Sequence, residues 1–390
     1  MNRMFQIIQI AIAAVSLVLC TSSGAEEVEK VAESRNETIK IAAIYAISGE
    51  AAFSNKAHVE VAKFAVEEIN AKGGVLGKQI ELIEINNQST ALGSKNAAQQ
   101  AVDLGVSAVF GPIWSSHALG AAPVLQKAKI PMISPGATNP KVTLVGDYIF
   151  RGSFIDPFQA KVMANFAVND LKAKTAVVLT NVGNAYSIEI ADFFIKKFTQ
   201  LGGKILWEGD YASTATDFKK QLEKTKKLMP DVIYLPGYDR DSGFIIKQAR
   251  KMGISTVFLG GDGWNSGSLS KYGGDAINGS FFTTHWHVND SSKRSKAYVA
   301  RIIKRYPGRK IESLDIIPLA YDCIYILAEA ITKAESAQPQ LIQQELKKTK
   351  DFLGVTGNIT FDENGDPINK PVVMLKFENG KAEYVKTIVP

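Results

Sequence analysis

The chain has 390 residues, of which 46% are hydrophobic and 22% are charged. These values are typical of a globular protein and exclude a disordered chain, a collagen-like chain and a protein with many membrane spans. The formal net charge is +6, but the basic residues are spread over predicted helix faces, so nucleic acid is not expected as a partner. Only two cysteines occur, Cys20 and Cys323, which excludes a fold held by several disulfides.

The N-terminal segment has the pattern of an export signal, an arginine followed by an apolar run that is too short to span a bilayer. We therefore predict a signal peptide at 1–24 and a charged, flexible linker at 25–38. The sequence offers two alternative sites for removal of the signal peptide. Cys20 follows a sequence similar to a bacterial lipobox and would be lipidated, whereas small residues before and at Ala25 suit ordinary cleavage after that residue. Either route predicts a periplasmic protein or one on the outer face of the cytoplasmic membrane.

From Ile39 onward, short apolar strands alternate with amphipathic helices in two successive runs. This alternation predicts an α/β fold with parallel sheets covered by helices. The predicted strands are 39–45, 79–85, 108–110 and 132–133 in the first run, and 175–180, 204–211, 231–236 and 257–260 in the second. The predicted helices are 59–70, 95–104, 115–127, 156–170, 186–201, 218–226 and 242–252. A tail of helices at 295–306 and 318–335 and strands at 357–361, 372–378 and 382–389 must pack on the structure already built.

Three clusters follow predicted strands, at 111–116, 133–140 and 260–265. In open parallel sheets, ligands bind outside the carboxyl ends of the strands, so these clusters are the candidate site. Ser115 stands where a helix begins, which suits a carboxylate ligand but equally suits a serine that caps its own helix. In the second cluster, Gly136 permits close approach of the backbone, and Thr138 offers a hydroxyl and an amide.

The third cluster places Asp262 between glycines, with Trp264 two residues later. The carboxylate suits an ammonium group, and the indole would form an apolar wall; an Asx-turn is the structural alternative for the aspartate. The glycine spacing does not match a dinucleotide-binding motif.

Together with 66–75, 217–222 and 236–238, these clusters resemble the branched-chain amino-acid-binding proteins of bacterial ABC transporters, over nearly all of 39–390. The segment Ile-Ser-Pro-Gly-Ala-Thr-Asn-Pro is the most specific part of the match. The resemblance implies two Rossmann-like lobes that are joined by a three-strand hinge and close on one ligand. The implied bounds are 39–155 with 286–365 for lobe 1, and 156–285 with 366–390 for lobe 2.

The resemblance also implies roles for individual residues. It assigns the ligand carboxylate to Ser115, Gly136 and Thr138, and the ligand ammonium to Asp262; Ala137 is also placed among the ligand-binding residues. It places Tyr186 and Tyr238 as second-lobe aromatics that close over the ligand, with Phe53 or Ser54 as the first-lobe counterpart. Trp114, Asp239 and Trp264 depart from the family pattern around the ligand side chain.

The implied function is a solute-binding protein that captures an α-amino acid, branched-chain or otherwise apolar, and delivers it to the membrane permease of an ABC importer. A monomer without a cofactor is expected. A sensory protein of the same fold, or a binder of a non-amino organic acid or amide, is the alternative. An enzyme is not expected because no nucleophile motif occurs. His285 and His287 could touch a metal, but no third ligand lies nearby in the sequence, which favours a hinge or surface role.

Overall fold

Two β-sheets, each with helices packed against it, organise residues 38–265, 268–308 and 317–390, which the computed structural model describes. The first sheet is entirely parallel. Its strands are β1 (Ile39–Tyr45), β2 (Ile80–Asn86), β3 (Ala108–Phe110), β4 (Met132–Ser134) and β5 (Ile149–Arg151). The helices between them are α1 (Ala52–Ala71), α2 (Ala91–Asp103) and α3 (Ser115–Ala128).

The second sheet repeats this plan. Its parallel strands are β6 (Thr175–Asn181), β7 (Lys204–Tyr211), β8 (Val232–Tyr234), β9 (Val257–Gly260) and β10 (Phe281–Thr284). Its helices are α4 (Asp156–Asn165), α5 (Ala185–Gln200), α6 (Lys219–Leu228), α7 (Asp239–Lys251) and α8 (Leu269–Gly273). The spatial order β7-β6-β8-β9-β10 matches the order β2-β1-β3-β4-β5 of the first sheet. The expectation of two similar α/β lobes is therefore confirmed.

The rest of the chain is shared between the lobes. Helices α9 (Lys293–Arg305), α10 (Pro318–Ala334) and α11 (Pro339–Lys347), with the short hairpin of β11 (Phe352–Gly354) and β12 (Gly357–Ile359), join the first lobe. Strands β13 (Val372–Glu378) and β14 (Lys381–Ile388) then add an antiparallel pair to the second sheet. The chain thus passes between the lobes three times, after β5, after β10 and after β12. We call the body around the first sheet lobe 1 and the body around the second lobe 2.

The apolar runs of the central strands explain why both sheets are buried. Every residue of β3, β4, β5 and β8 is buried, as expected for parallel strands that are covered on both faces. The helices bury only one side. On α9, for example, Tyr298 and Ile302 pack inward, while basic residues face solvent. Five predicted strands match the observed bounds, whereas β5, β10, β11, α8 and α11 were not predicted.

The predicted signal peptide at 1–24, Cys20 and all but the last residue of the predicted linker lie outside the described residues. Within the described ranges, no helix is both long and apolar enough to cross a membrane. Cys323 is a buried free thiol in α10, and burial raises its pKa. A protonated thiol of this kind is poorly reactive, as is usual for a cysteine in the core.

Candidate ligand-binding site

A cavity lies between the lobes, at the carboxyl ends of the parallel strands; together with its opening to solvent it measures about 510 Å³. Lobe 1 lines it with α1 and the loops after β3 and β4. Lobe 2 lines it with the loops after β8, β9 and β10 and the start of α5. Of the residues predicted for the site, the cavity wall contains Gly136, Tyr186, Tyr238 and Asp262. It also contains residues that the sequence did not single out for binding, among them His58, Asn265 and Ile317.

Asp262 is the carboxylate that the structure positions most firmly in the cavity. One oxygen, Oδ1, accepts a hydrogen bond of 2.8 Å from Gln159 Nε2. The other, Oδ2, lies 3.2 Å from His285 Nε2. The backbone amide of Asp262 also donates to Gln159 Oε1. Because both oxygens are held, the carboxylate has one orientation at the cavity wall, as a binding group for a cation requires.

Gln159 on α4 joins this carboxylate to a second one. Its amide nitrogen also donates to Asp156 Oδ1 at 2.8 Å, and its oxygen accepts from Thr283 Oγ1. Asp156 is fully buried, and burial, reinforced by the nearby charge of Asp262, raises its pKa to about 8. Asp156 is therefore protonated at neutral pH. Sequence patterns gave no sign of this pair, because Asp156 and Gln159 lie in the first turn of an ordinary helix.

Replacing Asp156 with asparagine should flatten the pH dependence of stability. In the wild type, the unfolded chain loses the Asp156 proton near pH 4 and the native state keeps it to about pH 8, so the free energy of unfolding falls as the pH rises between these values. Between pH 5 and pH 8 the free energy of unfolding of the wild type should therefore fall, relative to that of Asp156→Asn, by on the order of 4 kcal/mol, which urea unfolding at the two pH values measures. Exposed Asp103→Asn is the control; equal slopes in wild type and Asp156→Asn would contradict the assignment.

The two lobe-1 loops at the cavity are fixed by buried hydrogen bonds. Ser134 Oγ donates to the carbonyl of Pro112 at 2.6 Å and accepts from the amide of Ala137, so it ties the loops after β3 and β4 together. Arg151, at the end of β5, is fully buried and donates from Nη1 to the carbonyls of Ala137 and Asn139. The loop that carries Gly136 is therefore held from below by side chains that sequence reasoning did not identify.

The predicted carboxylate binders lie at or beneath this loop. Ser115 is 1% exposed and does not cap its own helix, because its hydroxyl accepts from the amide of Asn139 at 3.2 Å. Thr138 is fully buried, and its hydroxyl makes no hydrogen bond of good geometry with any described residue. Neither these two residues nor Ala137 forms part of the cavity wall, where Gly136 is exposed. Their contact with a ligand carboxylate remains a prediction.

Tyr186 and Tyr238 line the cavity from lobe 2, with their ring centres 5.2 Å apart. Tyr186 accepts a hydrogen bond from the amide of Gly263. The close approach of this hydroxyl requires glycine at position 261, where a Cβ atom would lie 2.2 Å from it. Phe53 does not reach the cavity; it is 44% exposed at an adjacent chamber, and Ser54 lines the cavity in its place.

Trp264 requires a correction, because it does not form an apolar wall of the cavity. Its side chain turns into lobe 2 and is 1% exposed. The indole Nε1 donates to Ser242 Oγ at 2.8 Å, and the ring covers Gly260, where a Cβ atom would lie 2.4 Å from it. The 3-10 turn at Asp262–Trp264 thus sends the aspartate toward the cavity and the tryptophan into the core.

Two histidines complete the polar lining. His58 Nδ1 lies 3.2 Å from the carbonyl of Ser54, and since a carbonyl only accepts, this nitrogen carries the proton. Burial lowers the pKa of His58 to about 4, so its Nε2 is an acceptor at neutral pH. His285 faces Asp262, but His287 points elsewhere, toward the carbonyl of Ala382. The described residues contain no group of three or more potential metal ligands.

Contacts across the cleft hold the lobes in a closed arrangement. The start of α5 in lobe 2 docks on lobe 1, where the amide of Ala185 donates to Ser116 Oγ at 2.9 Å and its carbonyl accepts from Asn139 Nδ2 at 3.0 Å. Lys141 of lobe 1 pairs with Glu189 of lobe 2 at 2.6 Å. A ligand in the cavity would therefore be enclosed by both lobes.

Comparison with known proteins agrees with this geometry. Residues 38–382 match the family model described as periplasmic binding protein. The Leu/Ile/Val-binding protein BraC3 of Rhizobium johnstonii is 30% identical, and the alignment covers 82% of this chain and 86% of that protein. The leucine-, isoleucine-, valine-, threonine- and alanine-binding protein of Pseudomonas aeruginosa is also 30% identical, with coverage of 85% and 87%.

Two solved structures share the whole architecture. The leucine-binding protein LivK of Thermotoga maritima is 37% identical, with a TM-score of 0.85 over 90% of this chain and 99% of that one. The branched-chain amino acid transporter substrate-binding protein LivJ of Streptococcus pneumoniae, solved in complex with isoleucine, is 33% identical, with a TM-score of 0.84 over 91% and 100%. The two-lobed fold, the cleft between the lobes and these matches together show that this chain belongs to the periplasmic binding protein family.

Proposed function

We propose that this protein is the extracytoplasmic solute-binding component of an ABC importer and captures an apolar α-amino acid, such as leucine, isoleucine or valine, in the cavity between its lobes. The observation that carries the proposal is Asp262, whose carboxylate is held at the cavity wall by Gln159 and His285. Its position opposite the Gly136 loop suits a ligand with an ammonium group at one end and a carboxylate at the other.

The chemistry of the opposite wall supports the second half of this clamp. Helix α3 begins beside the cavity, and Trp114, the N-cap residue that precedes it, makes no side-chain cap, so the first-turn amides carry partial positive charge. These amides and the backbone of the Gly136 loop would receive the ligand carboxylate. Ile113, Trp114, Tyr238 and Ile317 would surround the ligand side chain, which favours an apolar amino acid.

The related proteins support the same assignment, since two of them are named for binding leucine, isoleucine and valine and a third was solved with isoleucine. In an importer, ligand contacts from both lobes would stabilise the closed form, and the permease would recognise that form. The partners are therefore a small amino acid and the permease subunits. The working location is the periplasm or the outer face of the membrane, with Cys20 as the candidate lipid anchor, and the expected state is a monomer.

A thermal-shift panel on the purified, leaderless protein, stripped of bound ligand, tests the proposal. At about 100 times its dissociation constant, a ligand should add roughly 2.7 kcal/mol of stability, which raises the melting temperature by several degrees. We expect this shift with leucine, isoleucine or valine. Leucinamide lacks the carboxylate and 4-methylpentanoate lacks the amine, so both should fail. A shift with 4-methylpentanoate alone would assign the protein to organic acids and remove the role of Asp262.

A further inference from the structure

A pair of stacked rings closes one side of the cavity. Trp114 of lobe 1 lies against Tyr238 of lobe 2, with ring centres 3.6 Å apart and planes 4° from parallel. Trp114 is also supported from behind by His117, whose ring centre lies 5.4 Å away, and it is 8% exposed. Tyr238 in turn contacts Tyr186. The indole is therefore held on both faces and has little freedom to turn aside.

This stack separates two spaces. On one side lies the ligand cavity, and on the other lies a smaller outer chamber that is also open to solvent. Trp114 and Tyr238 line both spaces. The outer chamber is bounded by Phe53 and Tyr272 and by the ion pair of Glu50 and Arg240, whose charged atoms lie 3.8 Å apart across the cleft.

We propose that the Trp114–Tyr238 stack is a partition that sets the maximum length of the ligand side chain. Given the proposed function, on which this inference rests, a branched aliphatic side chain ends against the indole. An aromatic side chain would have to enter the outer chamber and so would separate the stacked rings. Because the stack is also a contact between the lobes, a ligand that separates it opposes closure. Exclusion of long ligands thus arises from a clash in the closed form and not from a missing attraction.

The partition predicts that removing the indole joins the two spaces. Trp114→Ala should bind phenylalanine and tryptophan more tightly than wild type does, while leucine loses contact area and binds more weakly. We expect the ratio of the leucine to the phenylalanine association constant, roughly 100 or more in wild type, to fall at least tenfold in the variant, since differences in fit of this size are common in apolar pockets. Trp114→Phe keeps a flat ring against Tyr238 and should retain most of the discrimination.

Titration calorimetry with two ligand series separates this inference from the proposed function. One series contains alanine, valine, leucine, phenylalanine and tryptophan; the other contains the carboxylic acids with the same side chains but no amine. Comparing the two series shows whether binding requires the amine, which tests the proposed function. Within whichever series binds, the change of affinity with side-chain length tests the partition. Tyr272→Ala is the matched control, because it enlarges the outer chamber without opening the partition, and it should leave the length limit unchanged.

Circular dichroism and the melting temperature establish that each variant is folded before titration. If Trp114→Ala does not fold, Trp114→Leu gives the same test with less loss of volume. A length limit that is relaxed by removal of the indole, and not by Tyr272→Ala, supports the partition. A uniform change in affinity for all lengths, or equal relaxation by Tyr272→Ala, would overturn it.

Discussion

Asp262→Ala is expected to lose amino-acid binding by more than 100-fold while the protein remains folded. The ammonium of a bound ligand would be enclosed between the lobes, where removal of its counter-charge leaves an unpaired buried cation. Such losses cost roughly 3–5 kcal/mol, which corresponds to several hundred-fold or more in the dissociation constant. Titration calorimetry with leucine measures the effect directly.

Two further variants decide whether charge is the cause. Asp262→Asn keeps the size of the side chain and an acceptor for Gln159 but removes the charge, so it should lose nearly as much affinity as alanine. Asp275, an exposed carboxylate of the same lobe, serves as the control, and Asp275→Ala should bind as wild type does. Undiminished affinity in Asp262→Asn would show that the ammonium is held elsewhere in the cavity.

Arg151→Met should be the most destabilising single substitution near the site. Its guanidinium is fully buried and donates to Asp366 at 2.5 Å and to Thr143 Oγ1 at 2.7 Å, besides the loop carbonyls described above. The substitution leaves the largely buried Asp366 carboxylate without its partner. Breaking a buried pair in this way costs about 3–5 kcal/mol, and urea unfolding should show a loss of that order.

Lys141→Met, a substitution in the short 3-10 helix that follows the Gly136 loop, provides the matched comparison. Its ion pair with Glu189 is equally short, but the Lys141 side chain is 64% exposed, so the expected loss is at most about 1 kcal/mol. Arg151→Lys should fall between the two, because an ammonium keeps the charge but lacks the planar set of donors. Similar small losses for Arg151→Met and Lys141→Met would mean that the buried hydrogen bonds of Arg151 do not hold the loop.

The alternation of apolar strands and amphipathic helices made the fold predictable, because each parallel strand must be covered on both faces and the period of each helix is visible in the sequence. Strand β5 escaped prediction because only a short 3-10 helix, and no amphipathic helix, stands between it and β4, so the alternation is interrupted there. The two successive runs of this alternation were correctly expected to form two similar lobes.

The site was predictable only in part, because its clusters follow strands and the sequence does not show where each side chain points. Asp262 and Trp264 are two residues apart in one short turn, yet one faces the cavity and the other the core. His58 and Gln159 were missed because each stands on a helix, where a polar residue usually faces solvent. These two residues could have been predicted only if the sequence showed which helices begin at the cleft.

The three passages of the chain between the lobes also determine when each lobe can be completed during folding. Lobe 1 lacks its last helices until α11 has been made, and the sheet of lobe 2 lacks an edge until β13 and β14 are added. Neither lobe corresponds to one continuous segment, so neither can be completed before the C-terminal part of the chain has been made. Contacts between residues so distant along the chain form slowly. If such a chain is exported unfolded, this order delays its folding, because the early segments cannot form a complete domain before the chain has crossed the membrane.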